Sequence, residues 1–266
     1  MLLNHWVRQQ HEKNPVAMSK KPQEAISELM SKLESNESEL KVPLKSKLAT
    51  ACRILAANGH GSALSGQMTA RGEKPGTMWT LAYGFGFEEA DPSNYLLVDS
   101  NLEVLEGSGQ PNPANRFHFH VYATRPDVHA IVHTHPKHCS ALSLLGEPLH
   151  IAHMDTTALY DDVAHLAHWP GIPFGDEEGE IISGALGDKS AILLAHHGQL
   201  CVGPTVEAAC VLGVTIERAA EMHLLARAAG DMKSIDPKLG REAHDWRHNP
   251  KMVAMTFNYY ARQVES

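Results

Sequence analysis

The chain has 266 residues, 43% of them hydrophobic, and a formal net charge of −8. This length and apolar content predict a substantial folded core, and the acidic balance argues against a nucleic-acid-binding protein, which would present a basic surface. No apolar stretch approaches the roughly 18 residues that a membrane helix needs. The N-terminus is too polar for a signal-peptide core, so we expect a cytoplasmic protein without a membrane partner.

The first third of the chain predicts two helices followed by strands. Residues 1–21 are polar and lack a period, which is typical of a flexible tail. A helix begins at Pro22, and a second covers Leu44–Leu55 and ends near Asn58-Gly59, a common C-terminal signal. Strands are predicted in the glycine-rich stretch that follows, at Met78–Tyr83, at Tyr95–Asp99 and just before Gly107.

The remaining elements alternate between helices and strands. Helices are predicted from Pro113 to Thr124, from about Lys137 to Leu145, from an N-cap at Asp176, from Thr205 to Ala229 and from Pro250 onwards. Apolar strands run from Val128 to His135 and from Ala191 to Gly198. This alternation predicts one α/β domain over residues 22–266, with a largely antiparallel or mixed sheet between helices and a helical C-terminal extension.

Histidines follow both apolar strands. His133 and His135 are two residues apart, so both side chains point to one face of a strand end. His197-Gly198 closes the second strand, and the glycine leaves room for a tight turn. Three imidazoles from two strand ends predict a divalent metal site with one coordination position left open for chemistry.

Several segments around these histidines resemble the class II aldolase and adducin family. Leu64–Arg71 is similar to the family's early Ser-Gly-Asn loop, and Tyr122–Asp127 is similar to the segment that precedes its histidine pair. His133-Thr134-His135 and Leu194–Gly198 then follow in the family's order, so that the resemblance covers residues 44 to 230.

The resemblance implies a three-layer α/β/α sandwich. It also implies a cyclic homotetramer with one divalent ion per subunit, zinc, manganese, iron or cobalt, near a subunit interface. Transferred onto this sequence, the metal ligands are His133, His135 and His197. His196 stands where relatives often carry another residue, and we expect it to lie outside the ligand set.

One departure from the family changes the expected mechanism. The aldolases carry a glutamate acid/base in a Glu-x-Arg-Phe-His pattern, and here Ala114 occupies the position of that glutamate. The family's hydroxyl-rich turn is matched here by Asp99-Ser100-Asn101, whose carboxylate would repel a phosphate, and Asn112-Pro113 replaces a hydroxyl pair. These changes predict a non-phosphorylated substrate.

Three residues are candidates for the missing proton transfer. His118 lies on a predicted helix and either faces the metal or is a hydrogen-bonded helix residue. Tyr160 either protonates a carbanion or anchors a subunit contact. His153 either points to the site or caps an element.

Four residues are candidates for substrate binding. Arg71 and Arg116 are the nearest cations for a substrate carboxylate, although an internal salt bridge is the commoner role of such arginines. Ser65 and Gln67 lie on the glycine-rich loop and either line the pocket or belong to a tight turn.

These observations favour a metal-dependent carbon–carbon lyase acting on a small hydroxy- or oxo-acid. It would decarboxylate its substrate or cleave an aldol, with the metal stabilising the enolate that results. Decarboxylation needs no base, which suits Ala114. Two alternatives remain open, a non-haem iron oxygenase of the aldolase-like type acting on an aromatic oxo- or hydroxy-acid and a non-catalytic interaction module like adducin.

Overall fold

The computed structural model describes residues 21–34, 42–172 and 174–265. Backbone contacts divide the chain into two units, Met1–Lys41 and Val42–Ser266. Helix α1, Pro22–Glu34, belongs to the first unit and confirms the predicted first helix. The predicted tail, residues 1–21, lies outside the described residues apart from Lys21.

The second unit is built on one eight-stranded sheet. Its strands are β1 Gln67–Arg71, β2 Thr77–Leu81, β3 Tyr95–Asp99, β4 Val104–Glu106, β5 Ala130–Thr134, β6 Val163–Leu166, β7 Ala191–Leu194 and β8 Gly198–Gly203. They lie in the order β4-β3-β2-β1-β5-β8-β7-β6. The pair β6–β7 is parallel and the other neighbours are antiparallel, so the sheet is mixed, as the sequence predicts.

Helices cover both faces of this sheet. They are α2 Leu44–Leu55, α3 Arg116–Thr124, α4 Lys137–Ser143, α5 Asp176–Leu186, α6 Val206–Ala229, α7 Pro237–Arg247 and α8 Pro250–Val264. Phe117 of α3 and Ile182 of α5 pack on Ile131 of β5, whereas α2, α6 and α8 pack on the other face around Val132. The three-layer α/β/α architecture is therefore confirmed. None of the helices in the described ranges is long and apolar enough to span a bilayer.

Alternation along β5 explains how one strand serves two cores. Ile131 and His133 point towards α3, whereas Val132 and Thr134 point towards α2 and α6. Both faces of the strand are buried, which accounts for its nearly continuous apolar sequence. The same alternation along β1 directs Gln67, Thr69 and Arg71 to the α3 face.

Four elements were not predicted from the sequence, namely β1, β6, β8 and α7. Strand β1 has polar residues at every second position, and the glycine-rich sequence before it favours a loop. Strand β8 follows β7 after a turn of only three residues. Its apolar run is short and lies between Gly198 and Gly203, residues that usually indicate turns. The N-cap prediction at Asp176 was wrong by one residue, because Gly175 is the N-cap and Asp176 begins α5.

The two ends of the central strands carry different residues. At the histidine end, β5 finishes at Thr134 beside Gln199, β7 finishes at Leu194 beside Gly198, and β1 begins at Gln67 opposite His133. At the far end, β6 and β7 begin side by side with Val163 opposite Ala191, and β1 finishes at Arg71. This polarity decides which of the predicted site residues can meet.

Candidate metal centre

Three imidazoles converge at the histidine end of the sheet. The ring of His133 lies 4.9 Å from that of His135 and 4.8 Å from that of His197, and the latter two rings are 4.5 Å apart. The Nε2 atoms of His133 and His135 are 3.0 Å apart, and one nitrogen from each of the three residues lies within 4.8 Å of the others. The sequence-predicted set is therefore brought together, which is the spacing that a single small cation requires. We call it the histidine cluster.

Gly198 allows the two strand ends to approach. A Cβ added there would lie 2.5 Å from the Thr134 carbonyl oxygen and 2.7 Å from Cδ2 of His135. Only a residue without a side chain fits at this position. The preceding turn also contains His196, which has a φ of +54° and is exposed, so it lies outside the cluster as predicted.

The environment keeps the three imidazoles neutral. Burial, followed by the neighbouring histidines, holds the pKa of His133 well below its usual value of 6.5. Burial also lowers the pKa of His135, and it lowers the pKa of His197 to about 4. His133 donates from Nδ1 to the Gln199 carbonyl at 2.8 Å, which leaves its Nε2 lone pair facing the other rings. Neutral, oriented imidazoles are the form that binds a transition metal, so this donor set fits a divalent ion.

A buried polar network supports the cluster from the opposite face of the sheet. Thr134 accepts from Gln199 Nε2 and donates to Nδ1 of His60 at 2.8 Å. Ser62 donates to the carbonyl of His135 at 3.2 Å. Sequence reasoning missed Thr134 and Gln199, although Gln199 could have been found by pairing the strand after His197 with β5.

A buried carboxylate holds the turn that follows His135. Glu217 of α6 accepts from the backbone N–H groups of His138 and Cys139, each at 2.9 Å, and from the His138 ring at 2.7 Å. Only 8% of Glu217 is exposed, so these contacts replace its solvation. Nothing in the local sequence of α6 marks this residue, because its partners lie nearly 80 positions earlier.

His118 lies in the same buried region and is fully enclosed. Its Nδ1 is 2.8 Å from Thr69 Oγ1, which is in turn 2.9 Å from the Tyr122 hydroxyl. Thr69, Tyr122 and His118 thus form one buried hydrogen-bonded chain. The other ring nitrogen of His118, Nε2, is buried and has no hydrogen-bond partner among the described residues. Burial lowers the pKa of His118 to about 3, so the ring is neutral.

The position of the family's glutamate is occupied by a packed methyl group. Ala114 lies in a 3₁₀ turn just before α3, is 7% exposed and belongs to the hydrophobic cluster that contains Phe117. Phe117 in turn contacts the His133 ring edge-on at 5.1 Å. The region therefore adjoins the histidines but offers no proton-transfer group at residue 114.

Of the predicted substrate-binding residues, Gln67 lies nearest to the histidines. It pairs with His133 across β1 and β5, so both side chains share a sheet face, and its Oε1 is buried with no hydrogen-bond partner in the described ranges. Its Nε2 donates to the Ser65 carbonyl at 3.0 Å. Ser65 itself is exposed beside the start of β1, at the histidine end.

The two predicted arginines lie elsewhere. Arg71 is at the far end of β1 and donates to the carbonyls of Val128, Tyr122 and Arg125 at 2.5–2.8 Å, so its guanidinium serves the fold. Arg116 lies 3.7 Å from Asp176. Both arginines line a cavity of about 580 Å³ whose described lining residues do not include the three histidines. These contacts do not support the expected binding of a substrate beside the metal by Arg71.

Neither Tyr160 nor His153 is placed beside the histidine cluster. The sheet topology puts Tyr160 at the far end, and the contacts of His153 are local. Tyr160 precedes β6 at the far end, and its ring covers Gly240 of α7. His153 is exposed and accepts from the Asp155 N–H, capping the 3₁₀ segment Met154–Leu159. A catalytic role for either residue stays a prediction that these contacts within one chain do not favour.

The prediction that Asp99 would repel a phosphate at the site was wrong, because Asp99 lies at the other end of the sheet. Asp99 pairs with Thr77 at the far end of the sheet, beyond the reach of a ligand on the histidines. Its carboxylate accepts from the N–H groups of Asn101 and Glu103 and so closes its own turn. At the histidine end β2 finishes instead before Ala82-Tyr83-Gly84, where no carboxylate stands.

The chain belongs to the class II aldolase and adducin family, since residues 46–224 match the family's class II aldolase and adducin N-terminal domain. It is similar to the decarboxylase NovR of Streptomyces niveus, with 29% identity over 202 residues that cover 74% of this chain and 75% of the relative.

Two further similarities come from a curated protein and a solved structure. A protein of Streptomyces roseochromogenus subsp. oscitans, named 4-hydroxy-3-prenylphenylpyruvate oxygenase/4-hydroxy-3-prenylbenzoate synthase, is 29% identical over 74% of this chain and 73% of its own. The solved structure of L-fuculose 1-phosphate aldolase from Glaciozyma antarctica PI12 superposes with a TM-score of 0.74 at 31% identity, covering 84% of this chain and 88% of that one. The family thus contains lyases that resemble this chain over most of its length.

Proposed function

We propose that the protein is a divalent-metal-dependent carbon–carbon lyase that decarboxylates, or cleaves as an aldol, a non-phosphorylated hydroxy- or oxo-acid. The observation that carries this proposal is the convergence of His133, His135 and His197 into one neutral donor set. The decarboxylase and aldolase names of similar proteins support the reaction class. We also propose that the chain assembles as a homotetramer, as the family resemblance implies.

The three histidines would hold the ion, and His133 is fixed through the Gln199 carbonyl. When bound, a divalent ion of this kind supplies Lewis-acid polarisation of substrate oxygens. Three protein ligands leave room for the substrate. The donor set of three nitrogens suits zinc, iron, cobalt or manganese, and selection among them depends on metal availability.

His118 is better suited to donating a hydrogen bond than to transferring a proton. We propose the tautomer of His118 in which Thr69 donates to Nδ1 and Nε2 carries the proton, so that Nε2–H can donate to an oxygen on which negative charge develops. Its depressed pKa means that the ring is neutral at pH 7, and a neutral imidazole is a poor proton donor. The sequence makes His118 a candidate for proton transfer, and we propose electrostatic stabilisation as its role instead.

Ala114 favours decarboxylation over aldol cleavage. Aldol cleavage begins with removal of a hydroxyl proton, for which the aldolases use the glutamate that is alanine here, whereas loss of CO₂ from an oxo-acid needs no base. The turn before α3 also offers little to a phosphate, because Asn112 Oδ1 already accepts the Ala114 N–H and Pro113 has no N–H. Both features support a carboxylate substrate without a phosphate.

An anaerobic screen tests the reaction class. The full chain is loaded separately with Zn²⁺, Mn²⁺, Co²⁺ or Fe²⁺ and incubated with hydroxy- and oxo-acids while CO₂ and aldehyde are measured. We expect CO₂ release that falls at least about 100-fold in His135→Ala and is unchanged in His129→Ala, an exposed histidine outside the cluster. Strong cleavage of fuculose 1-phosphate by the native protein would contradict the proposal.

A second candidate function is oxygenation of an aromatic oxo- or hydroxy-acid by iron. The relative named an oxygenase, at 29% identity over 74% of this chain, favours this candidate specifically. Repeating the screen in air with an oxygen electrode separates the two: an oxygenase releases CO₂ only with Fe²⁺ and O₂ and consumes O₂ in proportion, whereas the lyase releases CO₂ equally with and without O₂. A non-catalytic adducin-like module would show neither activity, and the oriented histidines argue against it because a scaffold needs no such donor set.

A further inference from the structure

A second group of metal-ligand residues lies at the far end of the sheet. It consists of Asp162, His244 and His248, and we call it the Asp162 cluster. The Asp162 carboxylate oxygen Oδ2 is 3.4 Å from Nε2 of His244 and 3.9 Å from Nε2 of His248. One ligand atom from each of the three residues lies within 4.8 Å of the others.

Two elements bring these residues together. Asp162 directly precedes β6, and its Oδ1 accepts from the N–H of Ser190, which directly precedes β7, at 3.0 Å. His244 lies in the last turn of α7 and His248 caps it, so the two imidazoles are four residues apart on one helix face, with ring centroids 4.3 Å apart. The carboxylate from the sheet edge therefore meets a pair of imidazoles from α7.

The neighbouring contacts orient the three donors. His244 donates from Nδ1 to Asp245 at 3.0 Å, which directs its Nε2 towards Asp162, the arrangement that commonly orients metal-binding histidines. Nε2 of His248 donates to the Ala158 carbonyl at 2.8 Å, a hydrogen bond that an ion bound at Nε2 would replace by displacing the ring proton. The nearby cations Arg241 and Lys189 pair with Asp161, and Asp162 is left to the imidazoles and Ser190.

We propose that the Asp162 cluster binds a second divalent transition-metal ion of the zinc class, which links α7 to the edge of the sheet. Two imidazoles and a carboxylate select Zn²⁺, Ni²⁺ or Cu²⁺ over Mg²⁺ or Ca²⁺, which prefer oxygen-only sites. Bonds of about 2.1 Å in tetrahedral geometry place ligand atoms about 3.4 Å apart, close to the spacing already present.

The second ion is separate from the histidine cluster in position and in role. Asp162 precedes β6, and β7 runs parallel to it before reaching His197, so the two clusters lie at opposite ends of β7. A strand of this length spans roughly 13 Å, too far for one ion to serve both. The Asp162 and His244 side chains are 13% and 14% exposed, and the His248 side chain is 33% exposed. The bound ion would therefore be mostly enclosed, with its solvent-facing side at His248, which suits a structural role.

Zinc counting on the full chain, prepared without a histidine tag, tests this proposal. The protein is incubated with excess ZnCl₂, freed of unbound ion by gel filtration and measured by elemental mass spectrometry. We expect two Zn²⁺ per chain in the native protein and in His129→Ala, and one in His244→Ala and in His248→Ala. The variant His248→Cys, which replaces one zinc ligand with another, should retain two.

Hydrogen exchange provides a second readout that does not depend on the stability of one variant. Zinc should slow exchange in residues 237–249 of the native protein and should not do so in His244→Ala. Equal zinc contents in the native protein and in both alanine variants, or a native chain whose single ion is lost only in His135→Ala, would overturn the proposal. A native chain with a single ion that is kept in His135→Ala and lost in His244→Ala would support the second site while refuting the first.

Discussion

The two clusters at opposite ends of β7 use similar donors in different electrostatic surroundings. In the histidine cluster, none of the hydrogen bonds in the described residues joins a carboxylate to His133, His135 or His197, and burial lowers the pKa of His197 to about 4. In the Asp162 cluster, the hydrogen bond with Asp162 raises the pKa of His244. Burial thus disfavours protonation of the first cluster, whereas in the second cluster Asp162 favours the protonated form of His244.

This difference in electrostatic surroundings indicates which cluster suits catalysis. Neutral imidazoles with no carboxylate leave most of the positive charge of a bound metal available to a substrate carboxylate or oxo group. In the Asp162 cluster the carboxylate would neutralise part of the charge of a bound metal ion. This cluster also joins two elements of the fold, α7 and the edge of the sheet. We therefore assign the chemistry to the histidine cluster and a structural role to the Asp162 cluster.

The largest expected effect on stability comes from the carboxylate that supports the histidine cluster. Glu217→Ala leaves the buried N–H groups of His138 and Cys139 without an acceptor, which should lower the free energy of unfolding by about 4 kcal/mol. Urea denaturation measures it. Glu207→Ala on the same helix is the control, because the pair of Glu207 with Lys47 is partly exposed and should contribute less than about 1 kcal/mol. Equal losses would show that Glu217 has no special role.

A matched pair of glycine substitutions compares the two ends of the sheet. Gly198→Ala places a methyl group against the Thr134 backbone oxygen, which cannot move, and should cost about 3 kcal/mol together with metal binding at the histidine cluster. Gly240→Ala meets the Tyr160 ring, a side chain that can shift, and should cost about 1 kcal/mol. Thermal unfolding and zinc content check both variants. A milder effect at Gly198 than at Gly240 would contradict the packing at the histidine end.

The pH dependence of stability should differ between the two ends. Burial lowers the pKa of His60 to about 4 and that of His118 to about 3, so the unfolded chain binds more protons below pH 6.5. Stability contributed by these groups is present above pH 6.5 and is lost as the pH falls, by about 1.4 kcal/mol per pH unit for each group. Urea denaturation of metal-free protein between pH 7 and pH 4 measures this slope.

His244 should act in the opposite direction. Its pKa is raised in the folded state, so its contribution is present below pH 6.5 and is lost as the pH rises through the raised value. His244→Ala should remove only the small loss of stability above pH 6.5. The loss of stability below pH 6.5 should be unchanged. A flat profile below pH 6.5 in the native protein would show that His60 and His118 are not enclosed as described.

The smallest expected effect is that of restoring the family's glutamate. Ala114→Glu should not produce measurable cleavage of fuculose 1-phosphate, because restoring the base still leaves the adjacent turn without hydrogen-bond donors for a phosphate. Aldehyde release in a coupled assay measures it, with native protein as the reference. A gain of about 100-fold would show that residue 114 alone separates this chain from the sugar-phosphate aldolases.

The sequence predicted the histidine cluster well because its geometry follows from local rules. Alternation along β5 places His133 and His135 on one side, and a glycine after His197 permits the tight approach of two strand ends. The strongly periodic helices, such as α6 with its Thr205 N-cap, were also predicted correctly. Such features depend on neighbours in sequence.

Features that depend on strand polarity could not be predicted in the same way. Arg71 and Asp99 were expected near the substrate, yet both lie at the far end because β1 and β3 run in the same direction, away from the histidines. The residues that support the histidine cluster, Glu217, Gln199 and Thr134, form hydrogen bonds between residues 65 to 79 positions apart in the sequence. No local sequence pattern indicates such bonds. The Asp162 cluster was hidden for the same reason, since α7 was not predicted.

The most direct measurement of the central claim is the metal content and affinity of the histidine cluster in the native chain and in His135→Ala. We expect one divalent ion per chain that is held by this cluster and lost in His135→Ala, while circular dichroism shows that the variant still folds. The metal content of His129→Ala should equal that of the native chain. An ion that remains at full occupancy in folded His135→Ala and in folded His197→Ala, or a native protein that binds none at the histidine end, would contradict it.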